Sequence, residues 1–376
     1  MIKRFAPWAL FLVFGVSSTG TADHERKALI ATLDAAARSE VMAATVTGIT
    51  MAVGVGDDVF FARGFGVADI ATGAPVTPAT KMRAGSVSKV MTTALLAQLL
   101  AEDRLDLDAN IQTYVPDFPN KRWPISLRQL AAHTSGIRHY RGNEFLSTKH
   151  YATVREGLTI FEQDALEFEP DTRTQYSSYA WNLVSAALEG AGEQDFLDQM
   201  EDRVFAPLGM TETQAEDVTK PIANISEFHA GNPARHAPDV DNSYKWAGGG
   251  FVMTARDMAR FGLAHTDTRF LDAETLNMLF TEHTMKNGTG TGFGVGWMMA
   301  PQLAARAARE GLTAQAVTVE DDMIWHSGGS AGAAALLLVD PGEDIAVALM
   351  VNHYDGFSAL LRLGLLAMQE TRKTLH

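Results

Sequence analysis

The chain contains no cysteine. A disulfide framework, a thiolate nucleophile and a cysteine-based zinc site are therefore excluded, and the protein folds the same way in an oxidising or a reducing compartment. Basic residues are also in short supply. The sequence has 31 Lys and Arg against 45 Asp and Glu, a formal net charge of −14. Nucleic acid and anionic membrane call for a basic surface, so neither is expected as a partner. The 11 histidines are scattered and form no H-E-x-x-H helix, so no metal site and no cofactor are expected. Internal repeats and low-complexity linkers are missing too. Beyond the N-terminal residues, no apolar run approaches the ~20 residues of a membrane span. The remainder is ordinary globular composition, 46% hydrophobic and 20% charged over 376 residues. That length suits one large domain with a sizeable insertion.

The first 22 residues read as an export signal. Lys3 and Arg4 give a basic start, Phe5 to Val16 is apolar, and Ser17 to Ala22 is a tract of small residues with Ala22 as the cleavage point. An uncleaved membrane anchor is the alternative. The expected location is periplasmic or secreted, with residues 23–376 as a single domain.

Strand signals concentrate at the two ends of the chain. Gly48 to Val55 and Val59 to Val67 read as a hairpin around Gly56-Asp57-Asp58. Ala333 to Val339 and Ile345 to Val351 read as another, followed by helical periodicity from Phe357 to Glu370. A strand is also expected over Gly294 to Met299. The middle is helical. Val87 to Ala101 is apolar on nearly all sides, the mark of a buried helix. Ser126-Leu127-Arg128-Gln129 has the form of a capping box, on a helix stopping at Gly136 as a left-handed cap. Tyr179 to Glu189 is a helix ended by Gly190 and Gly192, and Thr254-Ala255-Arg256-Asp257 opens another. These signals describe an α/β (α+β) fold, with one sheet built from both termini and a mostly helical region, about residues 100–250, inserted into it.

The sharpest chemical feature is Ser86-Val87-Ser88-Lys89, opening the buried helix. Residues three apart share a helical face, so the Lys89 amine reaches the Ser86 hydroxyl. A serine needs a nearby base to become a nucleophile. Burial and the positive end of the helix both favour the neutral amine, while the same terminus offers N–H groups to a developing oxyanion.

Further segments follow in order: Leu105-Asp106-Leu107-Asp108 with Tyr114-Val115-Pro116, His133-Thr134-Ser135-Gly136, Tyr176-Ser177-Ser178 and Trp325-His326-Ser327-Gly328-Gly329. With them the chain resembles the serine β-lactamase-related family, which includes penicillin-binding proteins and class C-type β-lactamases, over about residues 40 to 370. The tract Val240 to Phe251 is most like the mitochondrial serine β-lactamase-like members. The resemblance implies an antiparallel sheet flanked by helices and an acyl-enzyme on Ser86, with Lys89 as the activating base and Tyr176 as the proton shuttle, its anion stabilised by Lys89 or a neighbour. It also implies His326 at the third motif, an oxyanion hole from the N–H groups of Ser86 and Gly329, and substrate contacts at Ser178, Ser327 and Gly328. Two positions depart from the family pattern. Ser178 replaces the usual Asn, and His326 replaces a lysine that would anchor a substrate carboxylate. Efficient β-lactam hydrolysis is therefore not the first expectation. The expected activity is that of an exported peptidase or amide/ester hydrolase on small substrates. A β-lactamase or D-Ala-D-Ala carboxypeptidase is the alternative in the same class, and a non-catalytic binding or assembly protein is the alternative in another. Gly328-Gly329-Ser330-Ala331-Gly332 matches a G-x-S-x-G elbow, but a strand and a turn follow it, where an elbow leads into a helix.

Overall fold

The computed structural model describes residues 18–43, 45–312 and 319–375. The expected export signal therefore lies outside the described residues up to position 17. Positions 18–22 already belong to the first helix, α1 (Ser18–Met42). The N-terminal strands are β1 (Gly48–Val55), β2 (Asp58–Asp69), β3 (Ala74–Pro75) and β4 (Met82–Arg83). Helices α2 (Val87–Ala101), α3 (Leu127–Ala131), α4 (Val154–Leu158), α5 (Tyr179–Gly192) and α6 (Phe196–Met200) follow. Next come β5 (Gln214–Ala215), β6 (His229–Ala230), β7 (Arg235–His236), α7 (Trp246–Gly249), β8 (Phe251–Met253), α8 (Ala255–Leu263) and α9 (Ala273–Phe280). The chain closes with β9 (Met298–Met299), α10 (Ala300–Arg309), β10 (Ile324–Ser330), β11 (Ala333–Asp340), β12 (Ile345–Val351) and α11 (Phe357–Leu375).

Both ends of the chain build one antiparallel sheet, ordered β3-β2-β1-β12-β11-β10-β9. The seam is β1 against β12, in register from Ile49↔Val351 to Val55↔Ile345. β11 and β12 are apolar at nearly every position and buried throughout, because helices cover both faces of the sheet. On the outer face, Ile49, Met51, Leu336, Leu338 and Leu349 pack with Leu33 of α1 and Leu361 of α11. On the inner face, Leu337, Val339 and Met350 pack with Met258 and Phe261 of α8 and with Val90 and Leu95 of α2. Between β4 and β8 lies the expected helical insertion. Its centre is α2, buried along most of its length and in contact with α5 and α7.

Local signals set most boundaries. Ser126 Oγ accepts from the Gln129 N–H while Gln129 Oε1 accepts from the Ser126 N–H, a complete capping box on α3. Thr254 caps α8 by accepting from the Asp257 N–H at 3.2 Å. Three expectations need correction. Helix α5 does not stop at Gly190 and Gly192 but runs through them and ends at Glu193 in the left-handed region. Gly190 is there for close packing, since a Cβ would meet the Tyr114 carbonyl oxygen at 2.0 Å. Helix α3 stops earlier than Gly136: its first left-handed residue is His133, at φ 60°, and Gly136, left-handed as expected at φ 78°, follows three residues later. The strand expected over Gly294 to Met299 shrinks to Met298–Met299, which pair with Ile324 and Trp325 at the end of β10, while Met298 also bridges Phe293. Past Trp325, that edge of β10 is left open toward α2.

Candidate active site

Ser86 occupies the N-cap position of α2, yet its side chain caps nothing. Its hydroxyl accepts from Lys89 Nζ at 2.9 Å. The Lys89 ammonium also donates to Ser178 Oγ at 3.2 Å and to the Gly248 carbonyl of α7 at 2.5 Å. Lys89 is 0% exposed. Burial, followed by the charge of Lys245, lowers its pKa well below the ordinary lysine value. No carboxylate contributes to that shift, so the proton is held only by neutral acceptors, chiefly the Gly248 carbonyl. α2 is thus tied to the first residues of α5 and to α7 by one amine.

Tyr176-Ser177-Ser178 enters α5 in a conformation fixed by two histidines. The Ser177 N–H donates to His133 Nδ1 at 3.2 Å, and the Ser178 N–H donates to His139 Nδ1 at 3.1 Å. The Tyr176 ring lies on His133, centroids 4.2 Å apart, and meets His139 edge-on at 5.6 Å. Lys89 Nζ sits 5.0 Å from the Tyr176 ring centroid. Burial pushes the Tyr176 phenol up, and the Ser86 hydroxyl pulls it only partly back. A phenolate stabilised by Lys89 was the expectation. The surroundings instead favour the protonated phenol, because desolvation of the ring outweighs the hydrogen bond with Ser86.

β10 supplies the opposite wall. A Cβ on Gly328 would lie 1.9 Å from the Ala84 carbonyl oxygen and 3.0 Å from the Ser86 nitrogen. A Cβ on Gly85, itself at φ +50°, would lie 2.6 Å from the Gly329 nitrogen and 2.8 Å from its oxygen. Both backbone groups of Gly329 therefore face the start of α2, across the open edge of the sheet. Arg83 Nη1 locks this contact by donating to the Ala331 carbonyl at 2.6 Å.

Between these walls lies a cavity of about 530 Å³, lined by Ser86, Tyr176, Ser178, Lys245, Ser327 and Gly329 among others. It sits where the sheet meets the helical insertion. Ser178 lines it and also accepts from Lys89 Nζ. Gly328 reaches the cavity only by its backbone. His326 is placed differently from expectation. It is 1% exposed, absent from the cavity lining, and points inward toward Lys89 and His133. Its Nδ1 meets the Ser327 carbonyl at 2.7 Å. Burial, with a lesser push from Lys89, lowers its pKa to about 3, so it offers no cation to a ligand. Strand alternation is the reason: Ser327 faces the cavity and His326 the interior.

Ser330 of the discarded elbow is buried in β10, which turns straight into β11. Among the described residues, no group of three His, Asp or Glu side chains stands close enough to hold a metal ion. Sequence reasoning passed over Lys245, His139 and Tyr140, which also line the cavity. Their tracts, Val240 to Phe251 and Ser135 to Tyr140, were visible. Nothing in a sequence distinguishes a lysine facing a cavity from one in solvent.

The comparisons with known proteins agree with this geometry. The Beta-lactamase family model matches residues 30–367. The human mitochondrial serine β-lactamase-like protein is 27% identical, over 79% of this chain and 69% of its own. Penicillin-binding protein 4 of Amycolatopsis lactamdurans is 28% identical, over 82% of this chain and 81% of its own. The solved structure of EstCE1, described as a hydrolase with promiscuous acyltransferase activity, superposes with a TM-score of 0.76 at 19% identity, covering 94% of this chain and 99% of its own. The chain belongs to the β-lactamase family, the serine hydrolases of the β-lactamase and penicillin-binding-protein fold.

Proposed function

We propose that the protein is an exported serine hydrolase that cleaves small peptides, amides or esters through an acyl-enzyme on Ser86. The observation that carries this reading is the buried Lys89 amine, 2.9 Å from Ser86 Oγ and with no carboxylate beside it to hold its proton. Neutral Lys89 takes the Ser86 proton as the oxygen attacks the substrate carbonyl. The oxyanion is received by the N–H groups of Ser86 and Gly329. Tyr176, held protonated, gives its proton to the leaving nitrogen or oxygen as the carbon bond breaks, and the Lys89 ammonium restores it. Water then attacks the acyl carbonyl, with Lys89 taking its proton; the bond from the acyl carbon to Ser86 Oγ breaks and Lys89 returns the proton to that oxygen, releasing the acid. Export is supported by Lys3, Arg4 and the apolar tract that follows them. Among the described residues, no helix is long and apolar enough to cross a membrane.

Intact mass after incubation with a fluorophosphonate tests the reading. One adduct is expected on the wild-type protein and none on Ser86→Ala. No adduct on folded wild type would leave a binding or assembly protein on the same fold. An adduct that persists in Ser86→Ala would move the nucleophile elsewhere, Ser330 first. β-Lactam hydrolysis at this site is the weaker reading, because His326 is neutral and turned away from the cavity.

A further inference from the structure

The cavity contrasts with the rest of the molecule. The chain carries a net charge of −14, yet no Asp or Glu lines this cavity, while Lys245 and Arg306 do. Arg306 is partly neutralised by Glu310 at 3.0 Å. Lys245 is not neutralised. It is 3% exposed, and its Nζ makes no hydrogen bond or ion pair with any described residue. The carboxylate that acts on it, Glu216, is already held by Arg83 at 2.7 Å and by Asn242 at 2.5 Å. What surrounds the ammonium is aromatic: Phe145, Tyr244 and Tyr140, with ring centroids at 4.4, 5.1 and 5.5 Å. Ring faces favour a cation without satisfying its N–H donors. An amine at the cavity wall with no acceptor from the described residues has its N–H donors free for a ligand in the cavity.

We infer that Lys245 is the anion-binding group of this cavity and takes a carboxylate carried by the substrate. The inference rests on the reading of the cavity as the substrate site. It also narrows that reading to acidic peptides, amides or esters. Lys245 immediately precedes α7, whose Gly248 carbonyl accepts from Lys89. The anchor and the general base are thus linked through a single helical turn, which fixes the distance from a bound carboxylate to Ser86. A lysine elsewhere in the chain replaces the cation that His326 does not provide.

Of the groups facing Lys245, the histidine, the two tyrosines and the Arg83–Glu216 pair keep their charge unchanged near neutrality. Burial, with a further push from Arg83, brings the pKa of Lys245 itself to about 7. His139 is held down at about 4 and Tyr140 is pushed up to about 12. Burial also raises Tyr244. Arg83 and Glu216 are paired with each other, and Lys89 is the remaining amine. Carboxylate binding is therefore strongest below pH 7 and fades as the pH rises through that value.

The test uses full-length Ser86→Ala protein, so binding is read without turnover. Monomethyl glutarate, a monoanion, and dimethyl glutarate, its neutral counterpart, are titrated by calorimetry at pH 6 and pH 8.5. At pH 6 the monoanion is expected to bind about tenfold tighter, the scale of one charged hydrogen bond. Adding Lys245→Met should make the two probes equal, and adding Lys245→Arg should keep the preference and show that the cavity is intact. Equal affinities in the Ser86→Ala protein, no measurable monoanion binding at millimolar concentration, or a preference that survives Lys245→Met would each overturn the inference. The hydrolase reading fails separately. A fluorophosphonate adduct together with equal affinities removes only the anion site. A carboxylate preference without an adduct removes only the hydrolase.

Discussion

The two faces of the central sheet are built from the same strands and carry different contents. The outer face, against α1, α10 and α11, is a continuous apolar layer of Leu33, Ile49, Leu336, Leu338, Leu349 and Leu361. Its buried charge, Asp340, is neutralised by Arg372 of α11. The inner face meets the helical insertion and holds Lys89, Lys245, His133 and His326, all buried. Most of these groups are shifted toward the uncharged form by desolvation rather than by a counter-charge. The outer face stabilises the fold. The inner face spends part of that stability on keeping amines and imidazoles out of water, where they are reactive.

That division is broken most sharply at Lys89. Lys89→Met is expected to reduce acylation by fluorophosphonate or ester by about 10³- to 10⁴-fold, the range of a lost general base. Its melting temperature should change little, since the desolvation cost of a buried amine is removed while Ser86, Ser178 and the Gly248 carbonyl lose their donor. Full activity in this variant would remove the base assignment. Leu338→Ala on the outer face should do the reverse. It should cost about 2–5 kcal/mol in urea unfolding, while the molecules that remain folded still label at Ser86.

Gly328→Ala probes the seam between the faces. Its Cβ would sit 1.9 Å from the Ala84 carbonyl, so β10 must move away from the start of α2. A misplacement of this kind is expected to lower kcat/KM by about 10²-fold with a small change in stability. Unchanged kinetics would show that Gly329 does not serve as an oxyanion donor.

The smallest effect is in acid. His326 titrates near 3 and His139 near 4 in the folded chain, against about 6.5 unfolded. Between those values the unfolded chain binds more protons, so stability falls as the pH drops below about 6.5. The slope is at most on the order of 1 kcal/mol per pH unit for each histidine. Urea midpoints at pH 7, 6 and 5 would show it, and a flat profile would mean that these rings are not buried in the neutral form. Neither histidine titrates between pH 5 and 9, so neither ring shapes the rate profile over that range; Lys245 titrates within it, near 7, and protonation of Lys89, whose pKa burial lowers, is expected to reduce the rate on the acid side.

Much of the fold was legible because its signals are local. The hairpin around Gly56, the apolar runs of β11 and β12, the capping box at Ser126 and the buried helix from Val87 each follow from a short stretch of sequence. The end of α5 was misread because Gly190 was taken as a stop, when a contact with Tyr114, far away in sequence, requires the glycine. In the site, Ser86 and Lys89 were readable from their spacing on one helix. His326 was correctly located in the chain, but its direction was not, since strand pairing decides which residues of Trp325 to Gly329 face the cavity.

Taken by itself, the sequence determined the periodicities, the caps, a serine and a lysine one helical turn apart, and a chemistry independent of cysteine. Only the tertiary structure decided which charged groups lose their water. Desolvation depends on neighbours brought from distant segments: α7 over Lys89, the Tyr140 and Phe145 rings over Lys245, and β10 across the start of α2. A lysine in solvent keeps its proton well above neutral pH, while burial brings the pKa of these two lysines down. Placing Lys245 at the cavity wall was therefore left to packing.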